Sequence, residues 1–230
     1  MHSSATIYSG IVLKLYDLWV LRLSNNYAWQ CSTSKVLLPF FTEYIQKSRA
    51  HLDVGVGTGF YPSNAVAQLP ESGENTKIHL LDMNPTTLDF SATRARKAGF
   101  KGVIETLEHD VFQPIPDDLH GQFDTISTFY LFHCLPGAFP NKIADVAKNL
   151  LPALTPDGVF YGATILGDSA NHNFFGRSLM RFYNSKGVFG NTEDTVEGLK
   201  EGLKTHFEDV EVRVVGKVAL YVARRPKQAQ

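Results

Sequence analysis

Residues 51–65, HLDVGVGTGFYPSNA, decide the fold of this chain. A short apolar run at 51–54 meets a glycine-rich turn at 55–59, and an amphipathic segment follows directly. This order predicts a buried strand, a tight turn and the start of a helix. Glycines at alternate positions let the backbone adopt positive φ and approach a ligand closely, because they carry no Cβ. The first amides of the helix point to the same place, so the stretch predicts a ligand site.

The motif itself narrows the choice of ligand. A dinucleotide loop, G-x-G-x-x-G, requires a small residue where Phe60 stands, and the Gly-Lys-Ser/Thr of a P-loop is absent. The pattern from Asp53 to Gly59 is acid-x-Gly-x-Gly-x-Gly. It resembles motif I of the class I S-adenosylmethionine (SAM)-dependent methyltransferases, whose loop wraps the amino-acid end of SAM while the acid reaches its amino group. Considered alone, the loop has a tight turn without a ligand as its alternative. The resemblance implies cofactor contacts from Asp53, Gly55, Gly57, Thr58 and Gly59.

The composition of the chain limits its possible size, partners and cellular compartment. With 230 residues, 43% of them hydrophobic and 12% aromatic, the chain suits one packed α/β domain. A formal charge of −1 argues against nucleic acid or a membrane as the main partner. Two cysteines form neither a disulfide framework nor a zinc site, so a reducing compartment fits. No signal peptide or membrane span is expected, which predicts a cytoplasmic protein, and a homodimer is left open.

Two further acids lie at the spacing that the family uses. Residues 77–82 predict a second buried strand ending in Asp82, a carboxylate able to accept hydrogen bonds from both ribose hydroxyls. Met83 and Asn84 follow it and are included among the cofactor contacts, with Asn84 and Pro85 also beginning the helix 85–97. A third strand, 103–107, precedes two residues that match the family's adenine-binding pair. These are Asp110, for the adenine amino group, and Val111, for the ring.

The fourth strand is predicted to end where the methyl group is transferred. Ligands of open α/β sheets lie outside the carboxyl ends of the strands, so Thr128 and Phe129 are expected to face SAM. The following Phe-His-Cys-Leu-Pro run resembles the family's pattern. Its His133 is a candidate general base, with packing beside the cofactor as the alternative, and His172 is a second candidate. The strand holds Ser127 and Thr128 where metal-dependent relatives carry an acid, and the Asn/Asp-Pro-Pro-Tyr/Phe motif is absent. We therefore expect neither a metal nor a nucleic-acid substrate.

The segments least constrained by the motif are those expected to select the substrate. Residues 1–48 predict a helix at 8–23, an irregular stretch at 24–31 and a second helix at 34–46. The resemblance implies a lid, with Tyr27 and Trp29 over the methionine part of SAM, whereas core packing is the alternative. A domain at 49–230 is expected to bind SAM. Within it an insertion at about 167–191 is either a substrate cap or a surface helix.

These observations together predict a fold and an activity. A helix at 192–207 with Thr192 as its N-cap precedes strands at 210–215 and 218–223. The expected fold is α/β and Rossmann-like, with a seven-stranded, mostly parallel sheet ending in an antiparallel hairpin. The resemblance implies methyl transfer from SAM to a small molecule in natural-product biosynthesis, with O-methylation preferred over N- or S-methylation. The alternative is a SAM-fold protein that catalyses a cyclisation or dehydration instead. An oxidoreductase is disfavoured by Phe60 and by the lack of a Tyr-x-x-x-Lys pair.

Overall fold

A single seven-stranded sheet organises the chain. The computed structural model describes residues 17–227, with side chains from residue 23 onward. The strands lie in the order β3-β2-β1-β4-β5-β7-β6. Strands β1 to β5 are parallel, and β7 is antiparallel to both β5 and β6. The strands are β1 (Ala50–Val54), β2 (Lys77–Asp82), β3 (Val103–Glu108), β4 (Phe123–Phe129), β5 (Leu154–Ile165), β6 (Phe207–Val215) and β7 (Val218–Pro226).

Helices cover both faces of the sheet. The first described segment, Asp17–Ala28, has π-helical hydrogen bonding, and a π-helical turn at Thr33–Leu37 leads into the first α-helix. The α-helices are α1 (Leu38–Ile45), α2 (Phe60–Ala65), α3 (Pro85–Lys97), α4 (Asn141–Leu150), α5 (Phe174–Ser185) and α6 (Val196–His206). Two buried clusters result: one includes Phe41 and Tyr161, and the other includes Leu52 and Ile126.

The order of the strands locates the ligand crevice. The chain leaves β1 toward β2 and β3 on one side, and returns to β4 on the other side of β1. The carboxyl ends of β1 and β4 therefore form the point where the strand order reverses, which is where open α/β sheets bind ligands. The predicted seven-stranded sheet and its closing hairpin are confirmed.

Several predicted boundaries are wrong. Strand β6 begins at Phe207 and not at residue 210, and β7 ends at Pro226 and not at residue 223. Residues 24–28 were expected to be irregular but continue the π-helical segment, where buried Asn25 bonds to Thr33 and Tyr130. The N-cap of helix α6 lies three residues later than predicted, at Thr195 and not at Thr192. The reason is that the carboxylate of Asp194 is bound elsewhere, which holds residues 192–194 in a loop. Most of the helix predicted at 8–23 lies outside the described residues.

Candidate active site

The glycine loop has the conformation that its sequence requires. Gly55, Gly57 and Gly59 all have positive φ, between 54° and 70°. A Cβ on Gly59 would lie 2.8 Å from Cβ of Ser91, so this glycine permits helix α3 to pack against the loop. A Cβ on Gly57 would meet nothing closer than a backbone oxygen at 3.9 Å. The loop is therefore packed against helix α3 at Gly59 and has free space beside Gly57.

Helix α3 holds the loop from behind. The Ser91 hydroxyl donates to the carbonyl oxygen of Gly57 at 3.0 Å, and the Arg94 guanidinium donates to that of Thr58 at 3.1 Å. Sequence reasoning missed both residues. Their spacing of three, which places them on one face of the helix toward the loop, is the signal that could have found them.

Asp53 lies at the end of β1 beneath the loop and is 4% exposed. The Ser127 hydroxyl donates to its Oδ1 at 2.5 Å. The same hydroxyl lies 3.1 Å from Nε2 of His51, whose Nδ1 is 2.7 Å from the hydroxyl of Thr125. Burial raises the pKa of Asp53 to about 7 and lowers that of His51 to about 3. Asp53 is therefore a carboxyl that can change charge near neutral pH.

Asp82 lies beside the same loop. Its Oδ2 accepts a 3.4 Å hydrogen bond from the amide of Gly57, and its Oδ1 accepts one of 3.0 Å from Asn84. Burial raises its pKa from the ordinary value. Asn84 caps helix α3 as predicted, accepting from Thr86, whereas the side chain of Met83 is 58% exposed. The structure therefore brings Asp53, Gly57 and Asp82 together at the carboxyl edge of the sheet.

The loop after β3 carries the two residues expected to hold adenine. Oδ1 of Asp110 accepts from the amide of Phe112 at 2.9 Å, which fixes its side chain within the turn. Val111 is 5% exposed and packs in the cluster on the β4–α4 side of the sheet. Both residues follow β3, which pairs with β2 in the sheet.

Two residues predicted to face the cofactor use their side chains in the core. The hydroxyl of Thr128 is hydrogen-bonded to that of Tyr221 and is fully buried. The ring of Phe129 is 5% exposed and packs against Phe41 and Tyr61. The pleat of β4 turns successive side chains to opposite faces, and both faces are covered here.

Tyr130 is the functional candidate that the sequence did not reveal. It follows β4 directly and has a φ of 60°, which is uncommon for a residue with a large side chain. Its amide donates to Ala163, and its hydroxyl donates to Oδ1 of buried Asn25 at 2.8 Å. This bond connects the π-helical segment to the end of β4. A sequence contains no signal for a non-glycine residue in this conformation.

His133 is buried and has aromatic neighbours. It is 3% exposed, with the ring of Phe189 at 4.5 Å and that of Tyr130 at 5.2 Å. Its Nδ1 has no hydrogen-bond partner among the described residues. Burial, assisted by the charge of Lys142, lowers its pKa to about 3.

The remaining candidates are His172, Trp29 and Tyr27. His172 is 2% exposed, and its Nε2 lies within 3.1 Å of the carbonyl oxygens of Leu166 and Gly167. The ring of Trp29 is buried against that of His172, at 5.6 Å. Tyr27 is 65% exposed, and its carbonyl oxygen accepts a hydrogen bond from the side chain of Asn173. The structure therefore places Trp29 in the core against helix α5, and Tyr27 at the surface.

Comparison with known proteins identifies the family. Residues 52–160 match the model of a methyltransferase domain. The protein YbcY of Escherichia coli (strain K12) is 48% identical over 205 residues, covering 89% of this chain and 99% of that protein. The physcion biosynthesis cluster O-methyltransferase of Aspergillus chevalieri is 41% identical over 221 residues, covering 96% of this chain and 94% of that enzyme. This chain belongs to the class I SAM-dependent methyltransferases.

Solved structures agree on the fold of this methyltransferase. An O-methyltransferase family protein from Burkholderia thailandensis superposes with a TM-score of 0.66 at 15% identity. The superposition covers 95% of this chain but 60% of that protein, so the chain spans less than two thirds of its length. No helix within residues 17–227 is long and apolar enough to cross a membrane. Over the same range, no three metal-ligating side chains gather at one place.

SAM is the cofactor of this methyltransferase, and the residues at the glycine loop fit it. The loop leaves open backbone at Gly57, where a ligand can approach without meeting a Cβ. Two carboxyl groups, on Asp53 and Asp82, lie at the loop. Carboxylates suit both an ammonium group and paired hydroxyls, and SAM presents both kinds of donor.

Proposed function

We propose that this methyltransferase transfers the methyl group of SAM to an oxygen atom of a small, partly apolar molecule in natural-product biosynthesis. The observation that carries the proposal is the enclosure at the end of β4. There Tyr130 binds Asn25 of the π-helical segment, and His133 packs against Phe189 of the insertion after β5. The aromatic rings suit an apolar acceptor. The relative at 41% identity, an O-methyltransferase by name, supports oxygen as the atom methylated.

The cofactor contacts follow from the geometry of the loop. SAM supplies a methyl group on a positively charged sulfur. Asp53 binds the ammonium group, since the ionised carboxyl gains a partner there, and Asp82 accepts from the ribose hydroxyls. Asp110 and Val111 hold adenine from the neighbouring strand. With the cofactor fixed, the protein's main contribution to catalysis is to align the acceptor with the methyl group.

Two segments close the acceptor side. Within the proposed lid, 1–48, the described part from residue 17 contacts both β4 and the insertion at 167–191, which we propose as the substrate cap. Asn173 donates to the carbonyl oxygen of Tyr27 at 2.7 Å, so lid and cap are joined to each other. The SAM-binding domain is accordingly proposed to comprise residues 49–230.

His133 is not suited to accept the acceptor's proton. Its pKa is about 3, far below the range in which a general base is efficient. His172 uses Nε2 to donate to two backbone carbonyl oxygens, so only its buried Nδ1 is left to accept a proton. The acceptor hydroxyl is therefore expected to be acidic in its own right, as a phenol or a carboxylic acid is.

The test is transfer of a labelled methyl group. The protein is incubated with trideuteromethyl-SAM and matched panels of phenols, carboxylic acids, amines and thiols, and products are analysed by mass spectrometry. A phenol or carboxylic acid gaining 17 mass units supports O-methylation; labelling confined to amines or thiols contradicts it. Consumption of a substrate without label in the product favours the non-methylating alternative. Asp82→Ala is the binding control, since loss of the ribose contact should weaken SAM affinity by at least about tenfold.

A further inference from the structure

A cavity of about 390 Å³ lies between helix α5 and the loop that joins it to β5. The residues that line it include Arg177, Arg181, His172 and one acid, Asp168. Met180 supplies an apolar surface. The volume falls within the range of small-molecule sites. None of the cofactor contacts proposed above lies in this wall.

His172 presents an unused acceptor. Its Nε2 lies 3.1 Å and 3.0 Å from the carbonyl oxygens of Leu166 and Gly167. Carbonyl oxygens only accept, so Nε2 carries the proton, and in the neutral ring Nδ1 is then an acceptor. Nδ1 is buried and has no partner among the described residues. A buried acceptor without a donor is costly, so a ligand that donates a hydrogen bond there is favoured.

The two arginines form a matching anion site. They are four residues apart, and therefore on one face of α5. Arg177 is held in place, since its guanidinium donates to the carbonyl oxygen of His172 at 2.7 Å. Arg181 makes no hydrogen bond or ion pair with any residue of the described part of the chain, and helix α5 contains no acidic residue. With Asp168 as the single acid, the wall is net positive and suits a carboxylate, which guanidinium groups bind with two parallel hydrogen bonds.

We propose that this cavity binds a small organic carboxylate that also carries a hydroxyl group. The carboxylate pairs with Arg181 and Arg177, the hydroxyl donates to Nδ1 of His172, and the hydrocarbon part lies on Met180. The ligand is either the methyl acceptor or a separate effector, and this inference does not depend on the proposed O-methylation. A row of rings joins the cavity to the active site, since Trp29 contacts both His172 and Phe189, and Phe189 contacts His133.

Three related probes test the two recognition elements separately. Isothermal titration calorimetry is performed with 3-hydroxybenzoate, with 3-methoxybenzoate, which lacks the donor, and with 3-hydroxybenzamide, which lacks the charge. The first is expected to bind at submillimolar concentration and the other two at least about tenfold more weakly. If 3-hydroxybenzoate does not bind, or if all three bind equally, the proposal is overturned.

Variants locate the binding. Arg181→Gln removes a charge that has no structural partner and should weaken 3-hydroxybenzoate binding at least about tenfold. Lys186→Gln, at the C-cap of α5 and outside the cavity wall, should leave binding unchanged. An equal loss of affinity in both variants would show non-specific attraction to surface charge and would overturn the proposed site. Titration with S-adenosylhomocysteine on the same samples reports the cofactor site, so failure there concerns the proposed function alone. Methylation of bound 3-hydroxybenzoate by SAM identifies an acceptor, and binding without methylation identifies an effector; both outcomes keep the site.

Discussion

The Ser127 hydroxyl donates a 2.5 Å hydrogen bond to Oδ1 of Asp53, its register partner on the neighbouring parallel strand. Burial raises the pKa of Asp53 to about 7, the charge of Asp82 adds to this, and the Ser127 hydrogen bond opposes it. The acid of the glycine motif is thus divided between its two charge states at neutral pH. A bound cation favours the ionised form, so the proposed role of Asp53 has measurable consequences.

SAM affinity should depend on pH through Asp53. Below pH 7 the carboxyl of the free protein is protonated, and binding of the ammonium group must displace that proton. Affinity should therefore fall by up to about tenfold per pH unit between pH 7 and pH 5.5, where the cofactor's amino group stays charged. Calorimetry in buffers of different ionisation enthalpy should detect proton release at pH 6. Asp53→Asn should bind weakly with no such pH dependence; a wild-type affinity that is constant from pH 5.5 to 7 contradicts the ammonium role.

The same residue should destabilise the protein without cofactor at high pH. A carboxyl whose pKa is raised on folding binds more protons in the folded than in the unfolded state between pH 3.8 and about 7. Stability is therefore lost as pH rises through this window, by up to about 4 kcal/mol in all. Asp53→Asn should raise the melting temperature at pH 8 but not at pH 4. Asp89→Asn, an exposed carboxyl on α3, is the control. Burial lowers the pKa of His51 and His133, so these residues make stability fall as the pH falls below 6.5. Each variant is therefore compared with the wild type at the same pH.

The sequence predicted most of the fold because the periodic patterns and glycine positions are local. Strand β2 and helix α3 begin and end as expected, and Asn84 caps α3. The features that the sequence did not predict depend on contacts between residues that are far apart in the chain. Thr195 replaces Thr192 as the cap of α6 because Asp194 is bound to Lys142, 52 positions away in the chain. No local pattern predicts that a lysine is buried.

The candidate site likewise contains features that the sequence predicted and features that it did not. Asp53, Gly57 and Asp82 come together because they lie at or just beyond the carboxyl ends of adjacent parallel strands, which sequence order predicts. The side chains of Thr128 and Phe129 turn into the core instead, since both faces of β4 are covered. Tyr130 could not be found because its importance rests on a backbone angle and on a bond to Asn25.

The glycines of the loop should be separable by substitution. Gly57→Ala adds a methyl group in open space and costs about 1–2 kcal/mol for the left-handed backbone, but places Cβ where SAM approaches. Gly59→Ala carries the same backbone cost and adds a clash with Ser91. Gly57→Ala should therefore weaken SAM binding more than Gly59→Ala does. Gly59→Ala should lower the melting temperature more than Gly57→Ala does. Calorimetry and thermal unfolding measure the two effects, and the reverse order would show that Gly57 does not face the cofactor.

His133 should contribute by packing and not by proton transfer. Its pKa of about 3 keeps the ring neutral and weakly basic at pH 7. His133→Gln should therefore retain the pH profile of methyl transfer between pH 6 and 9, with turnover reduced less than about tenfold. A fall of several hundredfold, with loss of a titrating step from the profile, would restore the general-base role. The measurement uses the acceptor found with labelled SAM.

The ion pair between Lys142 and Asp194 should be the most sensitive contact outside the cofactor site. Both side chains are fully buried, with Nζ of Lys142 2.7 Å from Oδ2 of Asp194 and 2.9 Å from the carbonyl oxygen of Gly190. The other carboxylate oxygen accepts from the amide of Phe139. Burial lowers the pKa of Lys142 and raises that of Asp194, so each charge depends on its partner.

Removing one partner leaves the other charge buried, so Lys142→Met should lower the free energy of unfolding by about 3–5 kcal/mol. Asp194→Asn should do the same. The double variant Lys142→Met, Asp194→Leu should recover much of the loss, since it leaves no isolated charge. Urea denaturation measures all three, with Lys148→Met on the same helix as the control. Because the pair joins α4 to the loop that follows the cap, single variants should also expose residues 186–195 to protease. Equal losses in the double and single variants would mean that the contacts to Gly190 and Phe139, and not the paired charges, stabilise this region.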